Sequence, residues 1–387
     1  MLRVGFFSSQ NYLSRTTFSG TLFSMYQALR AQDIHLVELG WPIQPGLGDR
    51  IRRRLDICQP LSPDTPLRSR AFAALVKAQL RLHPCDVLFA PVASTCLAAV
   101  ETTTPVVYSS DTTFALYRQY YKIDATPAIQ ARLELEERAA IHRAARLLYP
   151  SRWAARSAVE DYGANPDLID VAPYGANIAE PPPFERTVAR LSTIAKDACR
   201  LLFVGVDFER KGGGLAIETL RLLRQRGIDA RMTMVGTSPP DGGAIDGLDV
   251  VAFINKNNPD EARRLEQLYL DSHFMIFPTR ADCSPIVLCE AAAYALPVVS
   301  SDVGGIADIV IDGRNGMLLS GEAPAEDYAD RVEALWREPE RYADMVRSAR
   351  RAYEKRLNWT AWGRSTVDCL QRAATCDAGM SVRASAG

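Results

Sequence analysis

The chain of 387 residues carries 45 basic and 46 acidic side chains, and its formal net charge of −1 gives no global electrostatic support for nucleic-acid binding. Hydrophobic residues make up 47 % of the chain, but no apolar run approaches the length that spans a bilayer. The eight cysteines form no C-x-x-C pair, which argues against a zinc ribbon or a thioredoxin-type motif and predicts reduced thiols. The apolar start of the chain is too short for a signal peptide, so we expect a cytoplasmic protein.

Short apolar runs alternate with amphipathic segments in the first half of the chain. Several runs are apolar on both faces, which is typical of strands in a parallel sheet covered by helices. The predicted strands are Arg3–Phe7, Ile34–Leu39, Val87–Ala90, Pro105–Tyr108, Arg146–Tyr149 and Leu168–Ala172. The predicted helices between them are Thr21–Arg30, Arg68–Leu82 and Ile129–Ala144.

The stretch Ala179–Ala198 interrupts this alternation, since it contains three consecutive prolines and no strong periodic run. The alternation then restarts. The predicted strands are Leu201–Val206, Arg231–Val235, Val250–Phe253, Phe274–Phe277, Pro297–Ser300 and Met317–Leu319. The predicted helices are Gly213–Arg226, Asp260–Leu270, Pro285–Tyr294, Pro324–Arg337 and Glu340–Arg356.

This pattern predicts an α/β protein with two doubly wound domains that face each other across a cleft. The domains are expected at residues 1–178 and 199–358, with a linker at 179–198 and a disordered tail at 377–387. A length of 387 residues suits two domains of about 150–200 residues each. Such sheets bind ligands at the carboxyl ends of their strands.

The most informative junction follows the predicted strand Phe274–Phe277. Ser284 has the chemistry of a helix N-cap, and Pro285 suits the first helical position, where a missing N–H costs nothing. The N–H groups of Ile286 and Val287 would then be available to an anion at the start of the helix.

Glu290 lies about one turn further along this predicted helix. A carboxylate there is well placed to accept hydrogen bonds from vicinal hydroxyls, such as those of a ribose. The pair Gly304–Gly305 forms a second loop in which the backbone could approach a ligand closely. The competing interpretation is a well-capped strand–helix–strand unit with no ligand.

The stretch Phe277–Leu319 resembles the donor-site signature of family 4 glycosyltransferases, which have the two-domain GT-B fold. The family carries two acidic residues followed by a small-residue, proline and glycine-glycine pattern. Here the acids are Asp282 and Glu290, followed by Ala293–Pro297 and Val303–Gly305. The resemblance implies that Glu290 binds the donor ribose and that Asp282 lies near the donor sugar. It assigns the N–H groups around Ile286 and Val287 to the diphosphate or the sugar hydroxyls, with Ser284 and Pro285 in the same loop.

The loop Phe203–Gly214 resembles a second family element, which supplies an arginine and a lysine to the donor diphosphate. Lys211 matches the lysine, but Val206 follows Gly205 where the family has its arginine, so Arg210 is the candidate substitute. Developing negative charge on the leaving diphosphate has to be neutralised. Because the chain contains no D-x-D motif, we expect no metal and no cofactor besides the nucleotide-sugar co-substrate. The competing interpretation of Arg210–Lys211 is a solvated turn.

Other segments extend the resemblance over about residues 150–370. Pro150–Gly163 and Ala172–Ile178 resemble the end of the family's N-terminal domain. Phe253–Pro278, which includes Asn255, resembles the segment whose backbone reads the nucleotide base. Residues 359–376 resemble the terminal helix that crosses back to the N-terminal domain.

Three candidates lie on the acceptor side. The resemblance places Gly20 near the donor phosphate. Asp111 follows the strand Pro105–Tyr108 and could contact a sugar hydroxyl or act as a base, although the sequence favours an N-cap of the next helix at least as strongly. Asp49–Asp56 concentrates arginines that could meet anionic lipid or an anionic acceptor, but a solvated charged face is the commoner explanation.

The resemblance implies a retaining, metal-independent hexosyltransferase that uses a nucleotide-diphosphate sugar and needs no protein nucleophile. Its expected catalytic residues are Asp282, Lys211, Arg210 and Asp111, and its acceptor is a glycan, a glycolipid or a small molecule. Peripheral contact with the inner face of the membrane stays open, as does the oligomeric state. Two alternatives also stay open: an epimerase or phosphorylase on the same fold, and a catalytically weak nucleotide-sugar-binding partner of another transferase. A nicotinamide dehydrogenase is disfavoured because no G-x-G-x-x-G follows any predicted strand.

Overall fold

The computed structural model describes residues 1–40, 66–121, 123, 125–193 and 197–384. These residues form two compact units. The first contains the described part of Met1–Pro173 together with the C-terminal stretch from Trp359, and the second is Tyr174–Asn358. In the described part of the chain, no helix is both long and apolar enough to cross a membrane.

Within the described residues, each unit contains a six-stranded parallel sheet. The strand order of the first sheet is β2-β1-β3-β4-β5-β6, and that of the second is β12-β11-β10-β7-β8-β9. The strands of the first sheet are β1 (Leu2–Phe6), β2 (Ile34–Glu38), β3 (Val87–Pro91), β4 (Val106–Ser109), β5 (Arg146–Tyr149) and β6 (Ile169–Val171). Those of the second are β7 (Cys199–Val204), β8 (Ala230–Val235), β9 (Leu248–Val251), β10 (Phe274–Phe277), β11 (Val298–Asp302) and β12 (Gly316–Ser320).

Helices connect the strands in both units. In the first unit they are α1 (Thr21–Arg30), α2 (Pro66–Leu82), α3 (Ser94–Leu97), α4 (Phe114–Tyr120), α5 (Pro127–Arg143) and α6 (Arg152–Glu160). In the second they are α7 (Phe184–Thr193), α8 (Gly213–Gln225), α9 (Pro259–Asp271), α10 (Ile286–Ala293), α11 (Ala325–Trp336) and α12 (Pro339–Lys355). The last helix, α13 (Trp359–Ala384), belongs to the first unit.

The central strands are buried because helices cover both faces of each sheet. Every residue of β3, β4, β5 and β10 is buried, which is why these strands appear in the sequence as continuous apolar runs without alternation. Side-chain caps begin several of the helices. Ser151 accepts a hydrogen bond from the N–H of Ala154 at the start of α6, and Asn258 accepts one from Asp260 ahead of α9.

Helix α13 packs against α1 and β3 in the first unit. Trp362 is buried, and its ring lies 6.0 Å from that of Phe89. Gly363 permits the close approach to α1, because a Cβ there would lie 2.8 Å from Nε2 of Gln32 and 3.1 Å from the carbonyl oxygen of Ala28.

Two features of the predicted organisation differ in the structure. The stretch 179–198 contains the amphipathic helix α7, which packs against α9 and α12 and is therefore part of the second unit. Its prolines precede the helix, and the carbonyl of Pro183 accepts a hydrogen bond from the N–H of Thr187, so proline begins this helix instead of preventing it. At the C-terminus, α13 continues to Ala384, through most of the predicted disordered tail.

Candidate functional site

Lys211 and Asp282 form an ion pair at the carboxyl edge of the second sheet. Lys211 lies in the loop after β7 and Asp282 in the loop after β10, and the two strands are neighbours. Their side chains are 13 % and 10 % exposed. The Lys211 ammonium also lies 4.8 Å from the centroid of the Phe277 ring. The fold thus brings together a cation and an anion that are 71 residues apart in sequence.

Arg210 braces the two loops that carry this pair. Its backbone N–H and Nε donate to the carboxylate of Asp207 at 3.0 and 3.2 Å, and its Nη1 donates to the carbonyl of Ala281 at 2.9 Å. Nη1 also lies 3.9 Å from Oδ2 of Asp282. In this structure the guanidinium therefore holds Asp282 in position and partly compensates its charge.

The glycines around Lys211 allow the two loops to approach closely. Gly212 has a left-handed φ of +74°, and a Cβ there would lie 2.0 Å from the carbonyl oxygen of Pro278, a distance that no side chain can tolerate. Gly205 is also restricted, because a Cβ would lie 3.0 Å from Cγ of Lys211. Val206, in the position of the family's arginine, is 66 % exposed.

Glu290 lies in α10 and is only 1 % exposed. Its Oε1 accepts a hydrogen bond from the ammonium of Lys256 at 2.5 Å, and its Oε2 accepts one from the hydroxyl of Tyr269 at 3.1 Å. The Tyr269 ring stacks on that of Tyr294, with centroids 4.9 Å apart. The sequence analysis identified neither Lys256 nor Tyr269. The only available signal was their place in the segment that resembles the base-reading region.

The start of α10 corrects the predicted N-cap. The helix begins at Ile286, and Pro285, with ψ of 106°, is the N-cap, while no side chain caps the helix. Ser284 therefore does not cap the helix, and Pro285 is not its first residue. The extended ψ of Pro285 moves the start by one residue. Ile286 and Val287 occupy the first turn, where N–H groups precede the helical hydrogen-bond ladder, as expected.

The loop after β11 is fixed to the loop that carries Asp282. The N–H of Gly305 donates to the carbonyl of Cys283 at 3.1 Å. On the other side, the N–H of Asn255 donates to Oε2 of Glu261 at 2.7 Å, and its side chain accepts from the N–H of Asn257. The Asn255 amide thus shapes the turn that carries Lys256.

The candidates of the first unit lie at the carboxyl edge of its own sheet. Gly20 is the buried N-cap of α1 and has φ of 78°, and the preceding Phe18 and Ser19 are also left-handed, at 52° and 54°. Consecutive left-handed residues without a glycine are rare and mark a constrained loop. Asp111 is not the cap of the next helix, because Thr113 accepts the hydrogen bond from the N–H of Leu116 and caps α4. The segment Asp49–Asp56 lies outside the described residues.

A buried carboxyl group that the sequence analysis missed lies behind this edge. Glu137 in α5 is 4 % exposed, and its two oxygens lie 3.1 and 2.9 Å from the hydroxyl of Tyr108, which donates to the carboxyl group. Burial raises the pKa of Glu137 to about 7, although hydrogen bonds from Tyr108 and Ser94 oppose this rise, and the charges of Glu134 and Asp111 add to it. No sequence motif marks Glu137, since it lies among other acids on an ordinary helix.

Two doubly wound parallel sheets in one chain are the architecture of GT-B proteins. Residues 21–180 match the family model described as Glycosyltransferase Family 4, and residues 198–338 match the model described as Glycosyl transferases group 1. Together the two models account for most of the chain. The chain therefore belongs to the family 4 glycosyltransferases.

Curated relatives carry the description D-inositol 3-phosphate glycosyltransferase. The one from Pseudarthrobacter chlorophenolicus is 30 % identical over 248 residues, which cover 62 % of this chain and 58 % of the relative. The one from Paenarthrobacter aurescens is 28 % identical over 280 residues, which cover 70 % and 67 %. The chain thus spans less than two thirds of the first relative's length.

Solved structures show the same fold at low sequence identity. Sucrose-phosphate synthase from Thermosynechococcus elongatus aligns over 97 % of this chain and all of its own, with a TM-score of 0.68 and 14 % identity. The Anabaena protein HepE, solved in complex with UDP and glucose, aligns over 96 % of this chain and all of its own, with a TM-score of 0.63 and 15 % identity. At such identities the likeness supports the GT-B fold alone.

Proposed function

We propose that this chain transfers a hexose from a nucleotide-diphosphate sugar to an acceptor hydroxyl, with retention of configuration and without a metal ion. The observation that carries the proposal is the set of ion pairs at the carboxyl edge of the second sheet, Lys211 with Asp282 and Lys256 with Glu290, which includes the residues that resemble the family's donor-site motif. Family membership and the fold support the reaction class.

The leaving diphosphate would be stabilised by the Lys211 ammonium and by the N–H groups at the start of α10. Asp282 would orient the donor sugar, and Arg210 would hold Asp282 in position through its bonds to Asp207 and the carbonyl of Ala281. The Lys211 ammonium pairs with Asp282 in this structure, so it has to move toward the diphosphate when the donor binds.

In the proposed step, the acceptor oxygen forms a bond to the anomeric carbon while the bond from that carbon to the diphosphate oxygen breaks. The acceptor proton goes to the departing phosphate oxygen, on the same face of the sugar. This route needs no protein nucleophile. The thiol of Cys289, the residue before Glu290, is unsuited to act as a nucleophile, because burial and the neighbouring Glu290 raise its pKa to about 12.

UDP-sugars are the first donors to test, since HepE was solved with UDP and glucose. The acceptor is proposed to bind the first unit, where Gly20 and Asp111 are the candidates, and D-inositol 3-phosphate heads the acceptor panel because of the relatives' description. Glycans, glycolipids and other small molecules complete the panel.

Calorimetric titration with UDP, GDP, ADP and TDP in the presence of EDTA tests the donor site. We expect one nucleotide to bind, Glu290→Ala to abolish binding, and EDTA to have no effect. The product's anomeric proton coupling, measured by NMR with the matching donor, then tests retention. Failure of all four nucleotides to bind would refute the donor-site assignment.

A catalytically weak nucleotide-sugar-binding protein is the second candidate. Val206 stands where the family has its arginine, and Arg210 is bonded to Asp207 and to the carbonyl of Ala281. Lys211 is then the single cation at the two cationic positions of the motif, and its ammonium donates to Asp282. Tight nucleotide binding without transfer or donor hydrolysis across the acceptor panel would favour this second candidate over the first.

A further inference from the structure

Glu290 is covered in this structure by two hydrogen-bonding partners. Each carboxylate oxygen has one: the Lys256 ammonium at 2.5 Å and the Tyr269 hydroxyl at 3.1 Å. The Glu290 side chain is only 2 % exposed. Because so little of the carboxylate is exposed, a ribose diol can reach it only if a group that covers it moves away, and these two partners are the groups in direct contact with its oxygens.

Tyr269 is poorly placed to move. It is 1 % exposed, and its ring stacks on Tyr294 at an interplanar angle of 13°. Moving this ring would open a void in the core that α9 and α10 share, where Leu265 and Leu288 are also buried. The hydroxyl of Tyr269 is therefore a fixed partner of Glu290.

Lys256 has the opposite properties. Its side chain is 41 % exposed, and a lysine ammonium sits on a flexible four-carbon stem. Its backbone is fixed by the bond from Asn255 to Glu261, and Asn258 caps the following helix α9. The side chain can thus rotate into solvent while the loop stays in place.

From these contacts we propose that Lys256 covers the ribose-binding carboxylate and is exchanged for the two ribose hydroxyls when a nucleotide binds. Lys256 then acts as a specificity residue. A ligand with vicinal hydroxyls replaces the hydrogen bond that Glu290 loses, whereas a ligand without them offers no replacement, so Lys256 stays on Glu290. This inference rests on the proposed function, because it takes Glu290 as the ribose site.

The exchange is measurable as the reactivity of one lysine. An ammonium bonded to a buried carboxylate is a poor target for an amine-acylating reagent, and release into solvent makes it a better one. We expect saturation with the nucleotide that binds, UDP being the first tested, to raise acylation of Lys256 severalfold. The folded, undigested chain is acylated, and the label on Lys256 is then quantified by mass spectrometry of the digested peptides. Lys77 is the matched control, because it forms a 3.0 Å ion pair with Glu101 in the other unit and should not respond.

Two further measurements separate exchange from a general effect of binding. The 2′,3′-dideoxy form of the same nucleotide, at saturating concentration, should leave Lys256 as protected as in the free protein. In Glu290→Gln, Lys256 should react readily without any nucleotide, whereas Tyr269→Phe should keep the nucleotide-dependent rise.

The outcomes are distinct. If the nucleotide binds and Lys256 reactivity falls or stays constant, the exchange is wrong and Lys256 remains on Glu290 or contacts the ligand. An equal rise with the dideoxy nucleotide would also overturn it. If no nucleotide binds at all, the proposed function fails, and this inference fails with it.

Discussion

Buried carboxyl groups near the carboxyl edges of the two sheets have different partners. In the second unit, Asp282 and Glu290 are paired with the ammonium groups of Lys211 and Lys256. In the first unit, Glu137 has the hydroxyl of Tyr108 as its partner, and burial raises its pKa to about 7. The two sheets have the same architecture, but ammonium groups partner the buried carboxyl groups of the second, whereas hydroxyl groups partner Glu137 in the first, and these oppose the effect of burial without cancelling it.

This difference matches the ligands that each edge is proposed to bind. A site for an anionic diphosphate and a ribose benefits from cations and carboxylates whose pairs can be rearranged on binding. The acceptor hydroxyl that attacks is itself neutral, so a carboxyl group behind that edge can be half-protonated near neutral pH. Each prediction below tests one side of this contrast.

The largest effect is expected for Lys211→Met. Removing the ammonium takes away the main positive charge available to the leaving diphosphate, so donor turnover should fall by about a hundredfold or more. Initial rates with the matching UDP-sugar measure this loss. Lys77→Met, on the surface of the other unit, is the control and should keep the wild-type rate.

The same substitution leaves Asp282 without its closest partner, so lower stability could also reduce turnover. The double variant Lys211→Met/Asp282→Asn removes both charges and should recover most of the thermal stability while the rate stays low. A rate that recovers together with stability would show that Lys211 has a purely structural role.

The pH dependence of stability tests the other side of the contrast. An acid whose pKa is higher in the folded than in the unfolded state does not lower the free energy of unfolding below its unfolded pKa, here near 4.5. As the pH rises above that value, the free energy of unfolding falls until the pH passes the folded pKa of about 7. For Glu137 this difference of pKa amounts to about 3 kcal/mol lost between pH 4.5 and pH 8. Glu137→Gln should therefore be as stable as wild type at pH 5 and more stable at pH 8.

Urea denaturation of both proteins at several pH values measures this difference. The comparison between Glu137→Gln and wild type removes the contributions of other titrating groups. A difference in the free energy of unfolding that is constant with pH would mean that Glu137 is ionised in the folded protein, and the contrast between the two edges would then be lost.

A pair of glycines tests how rigidly the Lys211 loop is held. Gly212→Ala introduces a Cβ 2.0 Å from the carbonyl oxygen of Pro278 at a left-handed residue, and it should destabilise the second unit by at least about 2 kcal/mol. Gly214→Ala lies nearby in α8 with no atom within 4 Å, so it should stabilise the helix by about 0.5–1 kcal/mol. Thermal denaturation of the two variants checks these opposite signs, and equal effects would contradict the close loop contact.

The smallest effect is expected for Val206→Arg. Val206 is 66 % exposed, so an arginine fits without loss of stability, and it would place a second cation where the family has one. A charge-assisted hydrogen bond to the diphosphate should improve nucleotide affinity by about three- to tenfold. Titration calorimetry measures this gain. Unchanged affinity would mean that the diphosphate does not approach this loop.

Much of the fold could be predicted from the sequence because the central strands are buried on both faces. The bounds predicted for Phe274–Phe277, Arg146–Tyr149 and Thr21–Arg30 are those of the structure. Peripheral elements were less predictable. The run Val250–Phe253 is observed as Leu248–Val251, since β9 is an edge strand and the 67 % exposed Phe253 lies beyond its end. Helix α7 is absent from the predicted elements because the three prolines ahead of it are typical of a linker.

The sequence by itself predicts which acids and which lysine belong to the donor motif, because Asp282, Glu290 and Lys211 lie in short local patterns of residues. Only the tertiary structure decided their partners. Lys256 and Tyr269 reach Glu290 from 34 and 21 residues away, and Tyr108 reaches Glu137 across 29. Such contacts depend on which strands lie side by side and on how far burial removes a carboxyl group from water. A local sequence pattern predicts neither of these.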